Sequence, residues 1–422
     1  MFLGLDFGTS GVRACVTAPD GQIEDMDRID FGSLPEHEAA SNWREALLSL
    51  IARIPVGMRK RLAALAIDGT SATVLACDEA LNPTWPPLMY NDARATEEAA
   101  AIRRAAGEEH PAAAATSGLA KMLWLKKRLG HSRARLYLNQ ADWLSALLSG
   151  RPVSDTHNAL KMGADPETGQ WPAWVEYLAD VDTLPVLVKP GAALGLVERP
   201  RAWALGLNPD CLVRAGTTDS IAAFLAAGVS RPGEAVTSLG TTLVLKLLSE
   251  ARVDDGRYGV YSHWFGNLWL AGGASNAGGG VLRQHFSDDE LPALSARINT
   301  ERSSSLDYYP LPRPGERFPV NDPALPPRLE PRPADRAEFL HGLLEGLARI
   351  EALGYRRLAE LGATPLSRVV SAGGGAANPA YTRIRAGMLG VPVSRAAEDE
   401  ACYGAARLAR FGQAIFPGEQ DE

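Results

Sequence analysis

Four cysteines in 422 residues (Cys15, Cys77, Cys211 and Cys402) lie far apart and never in C-x-x-C spacing. That excludes a zinc ribbon, a dithiol redox motif and a disulfide framework, and it fits small buried apolar residues. Histidine is scarce, with seven scattered copies, so a transition-metal enzyme is not expected. No apolar run approaches the ~20 residues of a membrane span. The N-terminus shows no basic segment followed by a hydrophobic stretch and a small-residue cleavage site, so a cytoplasmic location is expected. Positive charge is not in excess either. The formal net charge is -7, which gives nucleic acid no electrostatic reason to bind.

Glycine, by contrast, is plentiful, with 41 copies, and several of them sit in short polar breaks between apolar strands. The first such break is "LGLDFGTSGVRACV" (3–16). Leu3 and Leu5, then Val12, Ala14 and Val16, show the period-two alternation of half-buried strands. The break between them, Asp6 to Gly11, reads as a hairpin turn. Gly8 and Gly11 can take positive φ and let backbone N–H groups point at an anion. Thr9 and Ser10 add hydroxyls, and Asp6 could hold a cation through water. An ordinary hairpin with a polar turn explains the same letters. A dinucleotide fingerprint does not, because a strand follows where a helix would be needed. The D-F-G triplet lacks the rest of the protein-kinase signature.

The length is too great for one ordinary core, so two domains are expected. Asp20-Gly21 signals a tight turn into a third strand. A helix with Trp43, Leu47, Leu48 and Ile51 on one face is expected over 41–54, starting at Ser41/Asn42. "LAALAIDGTSATVLACD" reads as strand, polar break at Asp68-Gly69-Thr70-Ser71, and strand. Three strands, a helix and a further strand suggest a ribonuclease-H-like mixed sheet. The middle is helical, including 118–130 with an apolar face of Leu119, Met122, Leu123, Leu125 and Leu129, where Trp124 reads as core. A second strand–polar turn–strand unit occurs at "EAVTSLGTTLVLKLLS" (234–249). Just before it, Leu212–Ala215 reads as a strand, Gly216-Thr217-Thr218 as a turn, and Asp219 as the start of an apolar helix. The recurrence suggests an internally duplicated fold with a ligand clamped between the halves. A proline-rich irregular segment (308–333) and a long helix (334–362) lead to a strand, the Gly373–Gly375 turn, and a helix. Such a strand-to-helix turn suits a phosphorylated ligand. A small-residue helix follows at 399–412, suited to tight packing against a neighbour.

In this order the pieces resemble the FGGY family of carbohydrate kinases along nearly the whole length. The residues that carry the resemblance are "GLDFGTSGVRA", "AGTTDSIAAFLAAG", "SLGTT", "GGASNAGGG" and "GGGAANPAYTRIRAGMLGVPV". It implies an α/β protein of two actin-like domains with ATP in the cleft, Mg2+, and phosphoryl transfer to a sugar or polyol hydroxyl. The sugar-binding side would span 1–226, completed by a C-terminal helix at 400–419, and the nucleotide-binding side 227–399. Carried onto this chain, Asp219 matches the catalytic base, while a plain helix N-cap is the alternative role. Asp6 matches the metal-side carboxylate near the sugar, and Thr9 and Ser10 match donors beside the transferred phosphate, with Thr9 counted as catalytic. Gly240 and Thr241 would face the phosphates. Gly374, Gly375 and Asn378 would line the adenosine, although Asn378 also suits a helix cap.

The break Asp68-Gly69-Thr70-Ser71-Ala72-Thr73 has no histidine where xylulokinases usually carry a glutamine–methionine–histidine stretch. The chain is also short for the family. Both features resemble its short xylulokinase-like branch, which implies D-ribulose, phosphorylated at C5, with D-xylulose as the alternative. Ser71 would contact the sugar, or simply satisfy its own turn. Asp92 and Arg94, near the family's sugar region, are expected to pair with each other. An actin-like ATP-binding module with no sugar acceptor is the reading from another class. A monomer or homodimer, with no nucleic-acid or membrane partner, completes the expectation.

Overall fold

The structure, a computed structural model, describes residues 1–32, 36–130 and 133–421. It divides into two compact units, Met1–Ala226 with Glu400–Glu422, and Ala227–Asp399.

In the first unit, Leu3, Leu5 and Phe7 of β1 (Phe2–Phe7) alternate with Gly4 and Asp6, so the two sets enter opposite faces of the sheet. β2 (Gly11–Thr17) returns antiparallel, and β3 (Ile23–Asp30) extends the ribbon after a turn in which Gly21 takes φ +98°. Helix α1 (Ala39–Arg53) buries Trp43, Leu47, Leu50 and Ile51 in the core that holds Leu3, Leu5 and Phe7. It begins ahead of the expected Ser41/Asn42 start. The Ser41 hydroxyl lies inside the first turn and donates to the Glu38 carbonyl at 2.8 Å, so it caps nothing.

β4 (Ala64–Gly69) runs parallel to β1 and sets Asp68 opposite Asp6. Next come β5 (Val74–Cys77), α2 (Thr96–Ala106), α3 (Gly118–Leu129), β6 (Leu136–Asn139) and α4 (Gln140–Ser149). On α3, Leu119, Met122, Leu125 and Leu129 are buried, while Leu123 is only half-buried. Trp124 packs edge-on to Trp85 and beside Arg94 and Arg128. A short parallel pair, β7 (Val153–Asp155) and β8 (Val186–Val188), precedes β9 (Ala193–Leu196), β10 (Leu212–Thr218) and α5 (Asp219–Ala226). The strand order is β3-β2-β1-β4-β10-β9.

The expected turn at Gly216–Thr218 is instead strand. β10 continues to Thr218 with a register shift against β4 between Arg214 and Thr217. Gly216 is what permits this, because a Cβ there would overlap the Ile67 carbonyl oxygen.

The second unit holds β11 (Glu234–Leu239), β12 (Leu243–Ser249), β13 (Tyr261–Phe265), β14 (Leu268–Ser275), α6 (Arg336–Glu360), β15 (Arg368–Ala372), α7 (Pro379–Leu389) and β16 (Val393–Arg395). Its order is β13-β14-β12-β11-β15-β16. The antiparallel β11–β12 hairpin, with β15 parallel to β11 and β16 parallel to β15, repeats the β1–β2, β4 and β10 arrangement. The proline-rich 308–333 segment contains no helix or extended strand, yet buries Tyr308, Leu311 and Phe318 in the core with α6. A fully buried ion pair fastens α6 to α7, with Arg385 Nε 2.6 Å from Glu351. Thr237 of β11 donates to Glu351, and Arg385 donates to Ser371 of β15, so the pair is hydrogen-bonded on both sides.

The last helix, α8 (Ala401–Phe411), returns to the first unit. It lies so close to β1 and α5 that a Cβ on Gly4 would overlap the Cys402 carbonyl, and one on Gly404 the Ala222 carbonyl. All four cysteines are buried and none forms a disulfide.

Candidate active site

Strands β1, β4 and β10 are parallel, and ligands of such sheets bind at the carboxyl ends of the strands. In the first unit those ends deliver Asp6 and the Gly8–Ser10 turn, Asp68 and the Thr70–Thr73 loop, and Asp219 at the first residue of α5. Asp6 is 6% exposed and 3.6 Å from Arg13, its cross-strand partner on β2. Arg13 also reaches Glu400 at 3.5 Å. Burial raises the Asp6 pKa and the Asp219 charge adds to that, while the Asp68 carboxyl and Arg13 act against it.

Asp68 is fully buried, and no donor among the described residues reaches either of its oxygens. Its polar neighbour is the Asp6 carboxyl, so burial and that charge hold Asp68 well above the usual carboxylate range. Asp219 is half-buried and accepts the Ser220 N–H at 2.6 Å.

Neither Gly8 nor Gly11 uses the positive φ open to glycine. Gly11 is glycine because β3 crowds it: a Cβ would sit 2.6 Å from the Ile29 carbonyl oxygen. At Gly8 the nearest atom to such a Cβ would be 3.6 Å away, which is ordinary contact. Gly240, in the equivalent turn of the second unit, has a nearest neighbour at 3.7 Å, and Gly374 has nothing within 4 Å. Backbone strain and crowding within the units thus leave glycine unexplained at these three turns. Each keeps free space above a polar bend, with the exposed hydroxyls of Thr9 and Ser10 beside Gly8.

Around the second-unit turn, Gly279 N–H donates to the Gly240 carbonyl at 2.8 Å and Gly280 N–H to that of Thr241 at 3.0 Å. Arg283 donates to the Thr241 hydroxyl at 2.6 Å. Gly373, at φ +81°, donates its N–H to Asp399 at 2.7 Å. Gly375 differs from Gly374, since a Cβ would lie 2.8 Å from Leu239 Cβ, so packing within the unit requires it. Asn378 caps α7: its Oδ1 accepts the Tyr381 N–H at 3.1 Å and its Nδ2 donates to Ser295 at 2.8 Å.

Among the described residues no group of three or more His, Cys, Asp or Glu side chains is arranged to hold a metal by itself. Asp6, one buried carboxylate beside a hydroxyl-rich turn, suits a magnesium ion that keeps its waters and draws other oxygens from phosphate. Asp92 and Arg94 do pair, with Arg94 Nη2 2.6 Å from the carboxylate. Sequence reading passed over Asp68, Arg13 and Gln140. Asp68 had a signal, because "LAIDG" repeats the "LGLDFG" pattern of apolar strand followed by aspartate and glycine.

A doubled mixed sheet, each copy opening on a strand–polar turn–strand hairpin, with carboxylates gathered at the parallel strand ends of the first, defines the actin-like, ribonuclease-H-like class of phosphotransferases. Within that class the chain belongs to the FGGY family of carbohydrate kinases, whose N-terminal domain matches residues 1–226 and whose C-terminal domain matches 235–412. It is 24% identical over 444 aligned positions to a xylulose kinase of Lactococcus lactis, covering 98% of this chain and 88% of that one. An autoinducer-2 kinase of Yersinia enterocolitica is 25% identical, with 98% and 86% covered. A solved xyloylose kinase from Brucella ovis superimposes with a TM-score of 0.85 at 22% identity, covering 100% and 93%. The chain is therefore an ATP-dependent carbohydrate kinase. No described helix is long and apolar enough to cross a membrane.

Proposed function

We propose that this kinase phosphorylates the terminal C5 hydroxyl of a ketopentose, with D-ribulose as the first acceptor to test. The first unit, completed by α8, takes the sugar, and the second takes the nucleotide. The observation that carries the nucleotide part is the free space over Gly8, Gly240 and Gly374, three polar turns with no internal reason to be glycine. Thr9 and Ser10 present hydroxyls and backbone N–H groups to the transferred phosphate, and Gly240 and Thr241 do so to the remaining phosphates. Gly374 leaves room for the adenosine, Gly375 beside it lets the turn pack on Leu239, and Asn378 fixes the helix start. Magnesium, when bound, neutralises phosphate charge and orients the oxygens for in-line displacement, and Asp6 is the residue that would hold it through water.

Asp219 takes the proton of the attacking hydroxyl. The oxygen forms its bond to the γ-phosphorus as the bond to the β–γ bridging oxygen breaks, and ADP leaves. Asp219 stands half-buried at the first residue of α5, near the Asp6 carboxylate, where a general base is needed. On the sugar side, the loop after β4 supports a polyol ligand. Thr70 gives both its N–H and its hydroxyl to Gln140, at 3.0 and 2.8 Å, and meets the Thr73 hydroxyl at 2.6 Å. Among the described residues nothing hydrogen-bonds the half-buried Ser71 hydroxyl, which leaves it for a ligand. D-ribulose is favoured by the absence of histidine from this loop. D-xylulose is the second reading, because relatives over the full length carry that name.

The test is ADP release with Mg-ATP across D-ribulose, D-xylulose, L-ribulose, glycerol and no sugar. Sugar-dependent turnover that falls by about 10²–10⁴ in Asp219→Ala is expected, the usual worth of a general base. Turnover indifferent to sugar and unchanged in Asp219→Ala would sink the proposal. A best acceptor other than D-ribulose would overturn only the reading of the Ser71 loop.

A further inference from the structure

The side chain of Lys121 lies wholly inside the first unit, on the buried face of α3 among Leu119, Met122 and Leu125. A lysine is costly there. Burial draws its pKa down to about 7, and the nearby Asp92 carboxylate acts in the opposite sense. The ammonium has three protons and three acceptors, all of them backbone carbonyls: Ala72 at 2.8 Å, Met89 at 2.7 Å and Tyr90 at 3.2 Å. A lysine that only filled space could be replaced by an apolar side chain at no electrostatic cost. One that gathers three carbonyls from two separate loops holds those loops together.

The first loop is the one that carries Ser71. Ala72 sits at φ +64°, a conformation a non-glycine residue adopts only when its surroundings enforce it. The tether on its carbonyl, with the Gln140 bonds to Thr70, fixes the loop on both sides of Ser71. The second loop leads through Met89 and Tyr90 to the Asp92–Arg94 pair. We propose that Lys121 is a positioning residue for acceptor recognition: by clamping the Ala72 carbonyl to the Met89–Tyr90 segment it sets the Ser71 hydroxyl where a sugar hydroxyl can meet it. This rests on the sugar-kinase reading and adds the element that aims its acceptor side.

The test is a double-mutant cycle of Lys121→Met and Ser71→Ala, with KM for the best ketopentose and KM for ATP read separately and thermal midpoints recorded. Ser71→Ala alone should raise the sugar KM about tenfold, as loss of a ligand hydrogen bond does. Lys121→Met should raise it at least as much, with the ATP KM within about twofold, and adding Ser71→Ala to it should then cost less than about twofold further. If Lys121→Met does not yield folded protein, Lys121→Gln, which retains two donors, takes its place in the same cycle. Additive losses, or a Lys121 variant that lowers the thermal midpoint while leaving the sugar KM unchanged, would overturn the inference. Sugar-dependent ADP release in the wild type with either of those results removes this inference alone. No sugar-dependent release at all removes the functional reading, and this inference with it.

Discussion

At the scale of single residues, the first unit contains acids outside the proposed chemistry whose pKa burial raises. Asp142 of α4 is fully buried and pushed up to about 6 by desolvation, and Asp155 beside it is raised well above the usual range, first by burial and then by the Asp142 charge. An unfolded aspartate releases its proton near ~3.9. The folded unit therefore keeps protons that the unfolded chain has lost, and the contribution of this pair is fullest below about 4 and declines as pH rises through about 6. Asn139, Ser154 and the Asp155 N–H all donate to Asp142, and an asparagine carbonyl can accept from part of that set. In Asp142→Asn the urea midpoint should fall less between pH 5 and pH 8 than in the wild type, and equal slopes would refute the assignment.

Residue identities were legible where a local pattern carried them. Asp6, Thr9 and Ser10 stood out because they interrupt an alternation, and Asp219 because it opens an apolar helix. Lys121 and Gln140 were not legible, since their partners are Ala72, Met89, Tyr90 and Thr70, far away in sequence. A lysine on an otherwise apolar helical face was the available hint. Positive φ is taken at neither Gly8 nor Gly11, and at Gly11 glycine is required by space rather than by torsion. Crowding from β3 at Gly11 is invisible until the strands are laid side by side.

Among the elements, α8 shows how sequence pattern and packing agree. Its run of Cys402, Gly404, Ala405 and Ala406 reads as a helix built for close approach, and all four residues are buried. Gly404→Ala would drive a methyl group into the Ala222 carbonyl, and backbone on both sides leaves nowhere to move. We expect a loss of about 3 kcal/mol or more, at the upper end of overpacking costs. Differential hydrogen exchange should localise it to the first unit, and uniform loss across both units would contradict it. The element that misled was β10: Gly-Thr-Thr is turn chemistry by composition, yet the need to place a strand against Ile67 overrode it.

At the scale of the whole molecule, the doubled sheet was readable because each copy opens on the same strand–turn–strand unit. The strand order was not, since pairing of β4 with β10 joins segments that helices and two small sheets separate. The first unit is discontinuous, made of Met1–Ala226 and Glu400–Glu422, whereas Ala227–Asp399 is one uninterrupted stretch. The two parts of the first unit should therefore be unable to fold apart. Residues 227–399 expressed alone should unfold cooperatively. Residues 1–226 alone should lack a cooperative transition until a 400–422 peptide is supplied, because β1 otherwise exposes the face around Gly4 that α8 covers. A cooperative transition in 1–226 without the peptide would show that α8 is dispensable.

Biosynthesis gives that discontinuity a temporal meaning. On a ribosome adding ~5–20 residues per second, domains ordinarily finish in the order in which they emerge. Here the half that is translated first must wait roughly ten to forty seconds at those rates while the second is made and folds. Only α8 lets the first half close, so the carboxylates at its strand ends come into register after the second half has been made.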